Sequence, residues 1–380
     1  MQLLADVREI LPLVAENAAV AERQRKPVDA VMAAIEATGI YNFFVPRRYG
    51  GWELDLDTYV DLGVLLGEAC ASTGWVTTFC MEHNWMVAQF PRAGQDEIFG
   101  DRGYVIAPGA IAPNGKARLQ GDGYVLDGRW QWGTGVMHAD WALLGGIVED
   151  TGELRMFAVP IAEVEVIDTW NATGMTGTGS NDMQVRELYV PASRAALIPE
   201  MFIGRTAGGL EHESSMFRMP MMPILSLAAA TPAIGAAKAA LKAFCERAGS
   251  RVLFGSTQIQ AEAPATHIRV GEARVRIEAA EAIARGVAAD TQRWGHEEDI
   301  CDTDERVRLR VQMAYAVRLC RDVVRDLFEV SGASAQLADQ PLQRIHRDVH
   351  TIASHTVFDL DYIAEQYGRL AFGLEPSRAV

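Results

Sequence analysis

Gly123-Tyr-Val-Leu-Asp-Gly-Arg-Trp-Gln-Trp-Gly-Thr-Gly-Val-Met-His-Ala-Asp-Trp141 is the stretch whose reading decides the fold. From Tyr124 through Leu126 to Trp130 and Trp132, large residues alternate with polar or small ones, the two-residue period of a strand. The pattern breaks at Gly133-Thr134-Gly135, where glycine lets another group approach the backbone closely. A second apolar run, Trp141-Ala-Leu-Leu-Gly-Gly-Ile-Val148, reads as the returning strand. Two tryptophans, a hydroxyl and paired glycines suit a wall for a flat heteroaromatic ring. Read locally, the same residues are a hairpin with aromatic cross-strand packing.

Outward from this stretch, β-like runs at 104–107, 123–132, 141–148, 154–159 and 182–190 are separated by Gly, Pro and Asn, with no helical period between them. They predict a small antiparallel barrel or sandwich. The chain before them reads as helices: apolar residues at helical spacing over 11–25 and 28–37, a stop at Gly39, a loop at 45–51 and a helix over 58–68. A strongly apolar helix over 76–90 carries Glu82, His83 and Trp85. After Pro191 the chain turns helical again, and 228–247, 262–294, 304–331 and 348–369 have the length and period of an antiparallel bundle. The expected class is α+β in three domains: helical over 1–103, an antiparallel β-barrel over 104–200, and a four-helix bundle over 201–380.

The 380 residues carry a formal charge of −15, which disfavours nucleic acid and anionic membrane surfaces as partners. The N-terminus has charges where a signal peptide needs an apolar core, and no uncharged apolar run is expected to reach membrane-spanning length. Five scattered cysteines without a C-x-x-C pair read as reduced thiols of a cytoplasmic protein.

A second glycine-rich stretch, Gly174-Met-Thr-Gly-Thr-Gly-Ser-Asn-Asp182, could cradle an anion or be a plain surface turn; its glycine spacing does not match a dinucleotide-binding fingerprint. Taken with Val45-Pro-Arg-Arg-Tyr-Gly-Gly51, Trp132-Gly-Thr134, Ala139-Asp-Trp141, Gly179-Ser180 before Val190-Pro191, and Arg344-Ile-His-Arg-Asp348, the order of segments resembles the acyl-CoA dehydrogenase fold from about residue 5 to 370. The resemblance implies a flavin between the β-domain and the bundle, with Trp132, Gly133 and Thr134 beside its ring, Gly179 and Ser180 nearby, and Arg251 at a flavin phosphate, where a solvated or helix-capping role is the alternative. It also implies a homotetramer.

The departures from that family decide the activity. Its dehydrogenases need a carboxylate base, yet no acid lies between Asp348 and Asp359 or over 221–226, the two places where the family carries one. Histidines stand there instead: His346, His350 and His355 near the C-terminus, with His83 in the apolar helix. This pattern resembles the oxygenase components of two-component aromatic monooxygenases. They take reduced FMN or FAD (here FMN slightly favoured) from a separate NAD(P)H:flavin reductase, form a C4a-(hydro)peroxyflavin with O2 and hydroxylate a phenol. The resemblance implies His355, then His83, as the groups that accept or hydrogen-bond the phenol proton, and Trp85, Arg218 and Met222 as substrate contacts. No hydroxyl stands at 108–110, where some relatives place a serine near the flavin.

Other readings of these residues accompany this one. His83 alone reads as a satisfied core residue. His346 and His350 share a helix face, but matching carboxylates are missing and no metal is expected. Arg347 and Asp348 read as a structural ion pair. Rival activities are oxygenation at sulfur or nitrogen, an acyl-CoA dehydrogenase with a relocated base, and a scaffold that has lost its flavin.

Overall fold

A computed structural model describes residues 2–100 and 102–377. It opens with helices α1 (Gln2–Glu16), α2 (Ala18–Gln24), α3 (Asp29–Ala37), α4 (Leu56–Ala69), α5 (Ala71–Val87) and α6 (Arg92–Phe99). Asp55 caps α4 by accepting the Thr58 N–H at 2.8 Å. All seventeen residues of α5 are buried, so this helix shows no polar face and serves as an internal post.

Seven strands follow: β1 (Gly109–Gln120), β2 (Gly123–Trp130), β3 (Trp141–Val148), β4 (Leu154–Pro160), β5 (Glu165–Ile167), β6 (Asp182–Pro191) and β7 (Ala195–Leu197). They form one sheet in the order β5-β6-β2-β1-β3-β4-β7. This corrects three expectations. The stretch 123–148 is not a hairpin, because β1 lies between β2 and β3. The sheet is mixed rather than antiparallel, since β1 and β3 run parallel. The run 104–107 is not a strand: Asn84 bonds both the N–H and C=O of Val105, and Asp140 accepts the Ile106 N–H, so side chains take the place of a ladder.

The chain then forms α7 (Ile198–Phe202), α8 (Ala207–Leu210), α9 (Met221–Ala248), α10 (Pro264–His296), α11 (Thr303–Glu329), α12 (Pro341–Ala353) and α13 (Leu360–Ala371). Helices α9 to α12 pack on one another, and α9 also lies against α4 and α5. A Cβ on Gly67 would sit 2.4 Å from Pro232 Cα, so glycine sets how closely α4 and α9 approach. The expected single helix over 348–369 is two helices. The chain breaks at Ser354, His355 accepts the Val357 N–H, and Asp359 caps α13 through the Tyr362 N–H. Helix α9 corrects the membrane expectation. Among the described residues it alone is long and apolar enough to span a bilayer, with mean hydropathy 1.5, yet 83% of that segment is buried inside the protein.

Candidate active site

A cavity of about 270 Å³ opens where α5, the connection after β2, the loop before β6 and the α12–α13 break meet. Trp75 and Phe79 reach it from α5, Trp132 and Thr134 from the β2–β3 connection, and Trp170, Met175, Thr178 and Ser180 from the glycine-rich loop. Thr351, Ile352, Ser354 and His355 close the remaining side. A chain of polar contacts crosses the wall. Trp75 Nε1 donates to Thr134 Oγ1 (3.3 Å), which lies 3.0 Å from Ser180 Oγ; Ser180 Oγ is in turn 2.9 Å from Thr178 Oγ1. Thr178 donates to the Met175 carbonyl, which also takes the Trp170 indole N–H at 3.0 Å.

The loop carrying these groups is clamped from α12. Met175 is left-handed (φ 54°), and its N–H donates to the buried Asp348 carboxylate at 2.5 Å. A Cβ on Gly174 would lie 2.2 Å from the Arg347 carbonyl, so only glycine lets the loop pass so close. The Gly174–Asp182 stretch is therefore largely buried rather than a surface turn, and its Met175, Thr178 and Ser180 line the cavity. Burial pushes the Asp348 carboxyl up to about 6. The expected Arg347–Asp348 ion pair is replaced by two separate contacts: Arg347 pairs with Glu22 at 2.5 Å and donates to Thr173 O at 2.6 Å. At the lip, Trp132 also adopts a left-handed backbone (φ 64°), which ends β2 early and leaves the indole 60% exposed.

Two histidines with opposite wiring stand at this cavity, His355 in its lining and His83 behind Gly109. His355 is half-buried, with its ring 5.5 Å from that of Trp75. Its Nδ1 accepts the Val357 N–H at 3.3 Å, so the neutral ring carries its proton on Nε2. His83 is fully buried, and its Nδ1 lies 2.6 Å from the Ala107 carbonyl, which can only accept. Its proton therefore sits on Nδ1 and Nε2 is left with a lone pair. Gly109, which lines the cavity, leaves room for that edge, since a Cβ there would be 2.6 Å from His83 Nε2. Burial lowers both imidazoles to about 4, with nearby Arg310 adding to the effect at His355, so both are neutral near pH 7.

Three indoles and three linked hydroxyls fit a flat heteroaromatic ring with a polar edge: the indoles offer faces for stacking, and the hydroxyls both donate and accept. Residues 227–360 match the family described as the acyl-CoA dehydrogenase C-terminal domain. Over 370 residues the chain is 32% identical to the oxygenase subunit HsaA, a flavin-dependent monooxygenase of Rhodococcus jostii, covering 96% of this chain and 97% of the relative. The chain belongs to the oxygenase subunits of the flavin-dependent monooxygenases. It is also 29% identical to the oxygenase component of p-hydroxyphenylacetate 3-hydroxylase from Acinetobacter baumannii, covering 99% of this chain and 90% of that one. The solved structure of XiaF from Streptomyces, in complex with FADH2 and glycerol, superposes with a TM-score of 0.91 at 29% identity, covering 99% and 96% of the two chains.

In this oxygenase subunit, four of the residues singled out from sequence line one cavity: Trp132, Thr134, Ser180 and His355. Gly133 and Gly179 adjoin lining residues without lining the cavity themselves. Gly133 N–H is bonded to Asn181 O at 2.8 Å, and Gly179 is left-handed (φ 58°) with no room for a Cβ beside Arg25 O. His83 stands behind Gly109. Trp85, Arg218, Met222 and Arg251 are not brought to the cavity. Trp85 is fully buried and donates to Met216 O, Arg218 reaches His212 O, and Met222 packs against the main core. Arg251 is held by Gln260 and the Val330 carbonyl. Sequence reasoning missed Trp75, Phe79, Trp170, Thr178, Gly109 and Asp348. Trp75 and Trp170 carried a signal, as aromatic residues next to the breaks at 70–71 and 171–174. Asp348 carried none, because its partner is 173 residues away. No carboxylate lines the cavity among the described residues.

Proposed function

We propose that this subunit transfers one atom of O2 to the ring of a small phenol, using reduced flavin delivered by a separate NAD(P)H:flavin reductase. Membership among flavin-dependent oxygenase subunits supports the cofactor and the reductase, and the relative acting on p-hydroxyphenylacetate supports the phenol. The bound reduced flavin supplies the two electrons with which O2 yields one transferable oxygen atom and one water. The chain's own residues do the rest. Trp75, Phe79 and Trp170 would supply apolar contacts to the flavin ring, with Trp132 at the mouth, and Thr134, Ser180 and Thr178 would hold its polar edge. His355 Nε2–H donates to the substrate oxygen while His83 Nε2 takes its proton, making the aromatic ring more electron-rich.

The observation that carries this reading is the pair of oppositely wired histidines, His355 lining the cavity and His83 directly behind its Gly109. The test is rapid mixing of oxygenated buffer with protein, anaerobically reduced FMN and p-hydroxyphenylacetate. Hydroxylated product approaching one per flavin is expected. Reoxidation at the rate of free flavin, with hydrogen peroxide and no product, would sink the proposal.

Finer points belong to the same reading. The ring and hydroxyl contacts of the cavity lining serve FMN and FAD alike, and FMN is the flavin taken for the tests. The homotetramer follows the assembly that the fold resemblance implies, and it would cover Ile268 and Val275, both exposed on α10. Five free thiols accord with a cytoplasmic setting.

A further inference from the structure

Beside His83 on α5, Glu82 is fully buried and neither of its carboxyl oxygens has a hydrogen-bond partner. A carboxylate so placed is strongly disfavoured, and burial pushes the group up to about 8. Its Oε2 lies 3.5 Å from His83 Nε2, just beyond hydrogen-bonding geometry. Since Nδ1 is committed to Ala107 O, Nε2 is where that ring gains or loses a proton, and Nε2 is also the edge behind Gly109. The nearest charged group on another segment, Asp140, accepts the Ile106 N–H and is paired with Arg102, while the buried hydroxyls and thiol around this point stay neutral. Tyr59 from α4 donates its hydroxyl to Thr78 O and is held well above its ordinary range, as is the buried Tyr41, and Cys80 is pushed up to about 12. The stretch 221–237 of α9 carries no ionisable side chain.

We propose that Glu82 is a positioning residue acting through His83: its carboxylate is the counter-charge for the proton that His83 Nε2 takes from a substrate hydroxyl. The substrate O–H bond breaks, the Nε2–H bond forms, and the electron pair stays on the substrate oxygen. The couple passes from a net charge of −1 to 0, so the dry interior never holds an unpaired imidazolium. With Glu82 protonated, the same step leaves a net positive charge there, so the couple works in its singly deprotonated form. The inference rests on the role given to His83 above.

Two measurements on the flavin-loaded protein test it, comparing wild type with Glu82→Gln and Glu82→Asp. In single turnovers with p-hydroxyphenylacetate, the wild-type rate rises about tenfold per pH unit below a limb near pH 8 and then levels. Glu82→Gln lacks that limb and Glu82→Asp regains it, while reduced-FMN affinity stays within about twofold in both. An unchanged limb in Glu82→Gln overturns the proposal. The second measurement is the titration of His83 by 15N NMR, which needs no turnover. A His83 titration that moves between wild type and Glu82→Gln supports the couple, and identical curves refute it. If wild type hydroxylates no phenol, the functional reading fails while the NMR comparison still decides the couple.

Discussion

Replacing Asp348 tests whether the clamp from α12 holds the wall of the proposed flavin cavity. In Asp348→Ala the buried Met175 N–H, on a residue with left-handed backbone, loses its acceptor. An orphaned buried donor costs about 1–3 kcal/mol. Expressed fully in the loop carrying Trp170, Thr178 and Ser180, this weakens reduced-FMN binding by about 5- to 150-fold. Asp348→Asn keeps an acceptor oxygen, so its affinity stays within about threefold. The two variants also separate in pH. The folded value of about 6 lies above the ordinary 3.8, so between them the folded chain binds more protons than the unfolded one. Wild-type stability from this group therefore falls as pH rises from about 4 to 6, by about 3 kcal/mol, and Asp348→Asn removes that fall. Anaerobic titration with reduced FMN gives the affinities, and urea unfolding at pH 4, 5, 6 and 7 gives the stability difference. Wild-type affinity in Asp348→Ala, together with a pH-independent stability difference in Asp348→Asn, would refute the reasoning.

Other substitutions probe the remaining walls. Gly109→Ala puts a methyl 2.6 Å from a ring pinned by Ala107, so overpacking costs about 1–3 kcal/mol and phenol hydroxylation drops, as calorimetry and product assays will show. Ser180→Ala breaks the hydroxyl chain and weakens reduced-FMN binding by about 2- to 10-fold in the same anaerobic titration. Removing both His83 and His355 lowers phenol hydroxylation by about 10²- to 10⁴-fold but spares oxidation of a sulfide, which needs no base; equal loss of both reactions would argue for a purely structural effect. Because His83 is lowered to about 4 from 6.5, its contribution to stability is lost as pH falls through that window, by about 3 kcal/mol. His83→Asn removes this acid loss, measurable by urea unfolding between pH 7 and 4.

The sequence showed those parts of the fold that have a period. The helices over 28–37, 58–68 and 304–331 appear within a few residues of where apolar spacing puts them. It hid β1, whose Gly109, Pro113, Asn114 and Gly115 give no alternation and whose register shifts between Ala110 and Gly115. With β1 invisible, β2 and β3 looked like neighbours. It also hid the break at Ser354, because His355 and Asp359 cap through side chains that helices also tolerate. Of the site, the Trp132–Thr134 segment, Ser180 and His355 were legible as local oddities: a glycine pair after a tryptophan, and histidines where acids were expected. Trp85, Arg218 and Met222 lay near the right sequence segments but point into the core or toward His212, a direction that spacing does not encode.

The contact between Asp348 and Met175 has a further consequence during synthesis. The ribosome releases α5 and the whole sheet long before α12, whose Asp348 follows Met175 by 173 residues. A nascent chain that has folded its first two hundred residues still has one side of the cavity missing and its loop unclamped. If this cavity takes the flavin, competence to do so arrives only with α12, and a chain cut short before Pro341 would be unable to sequester the cofactor.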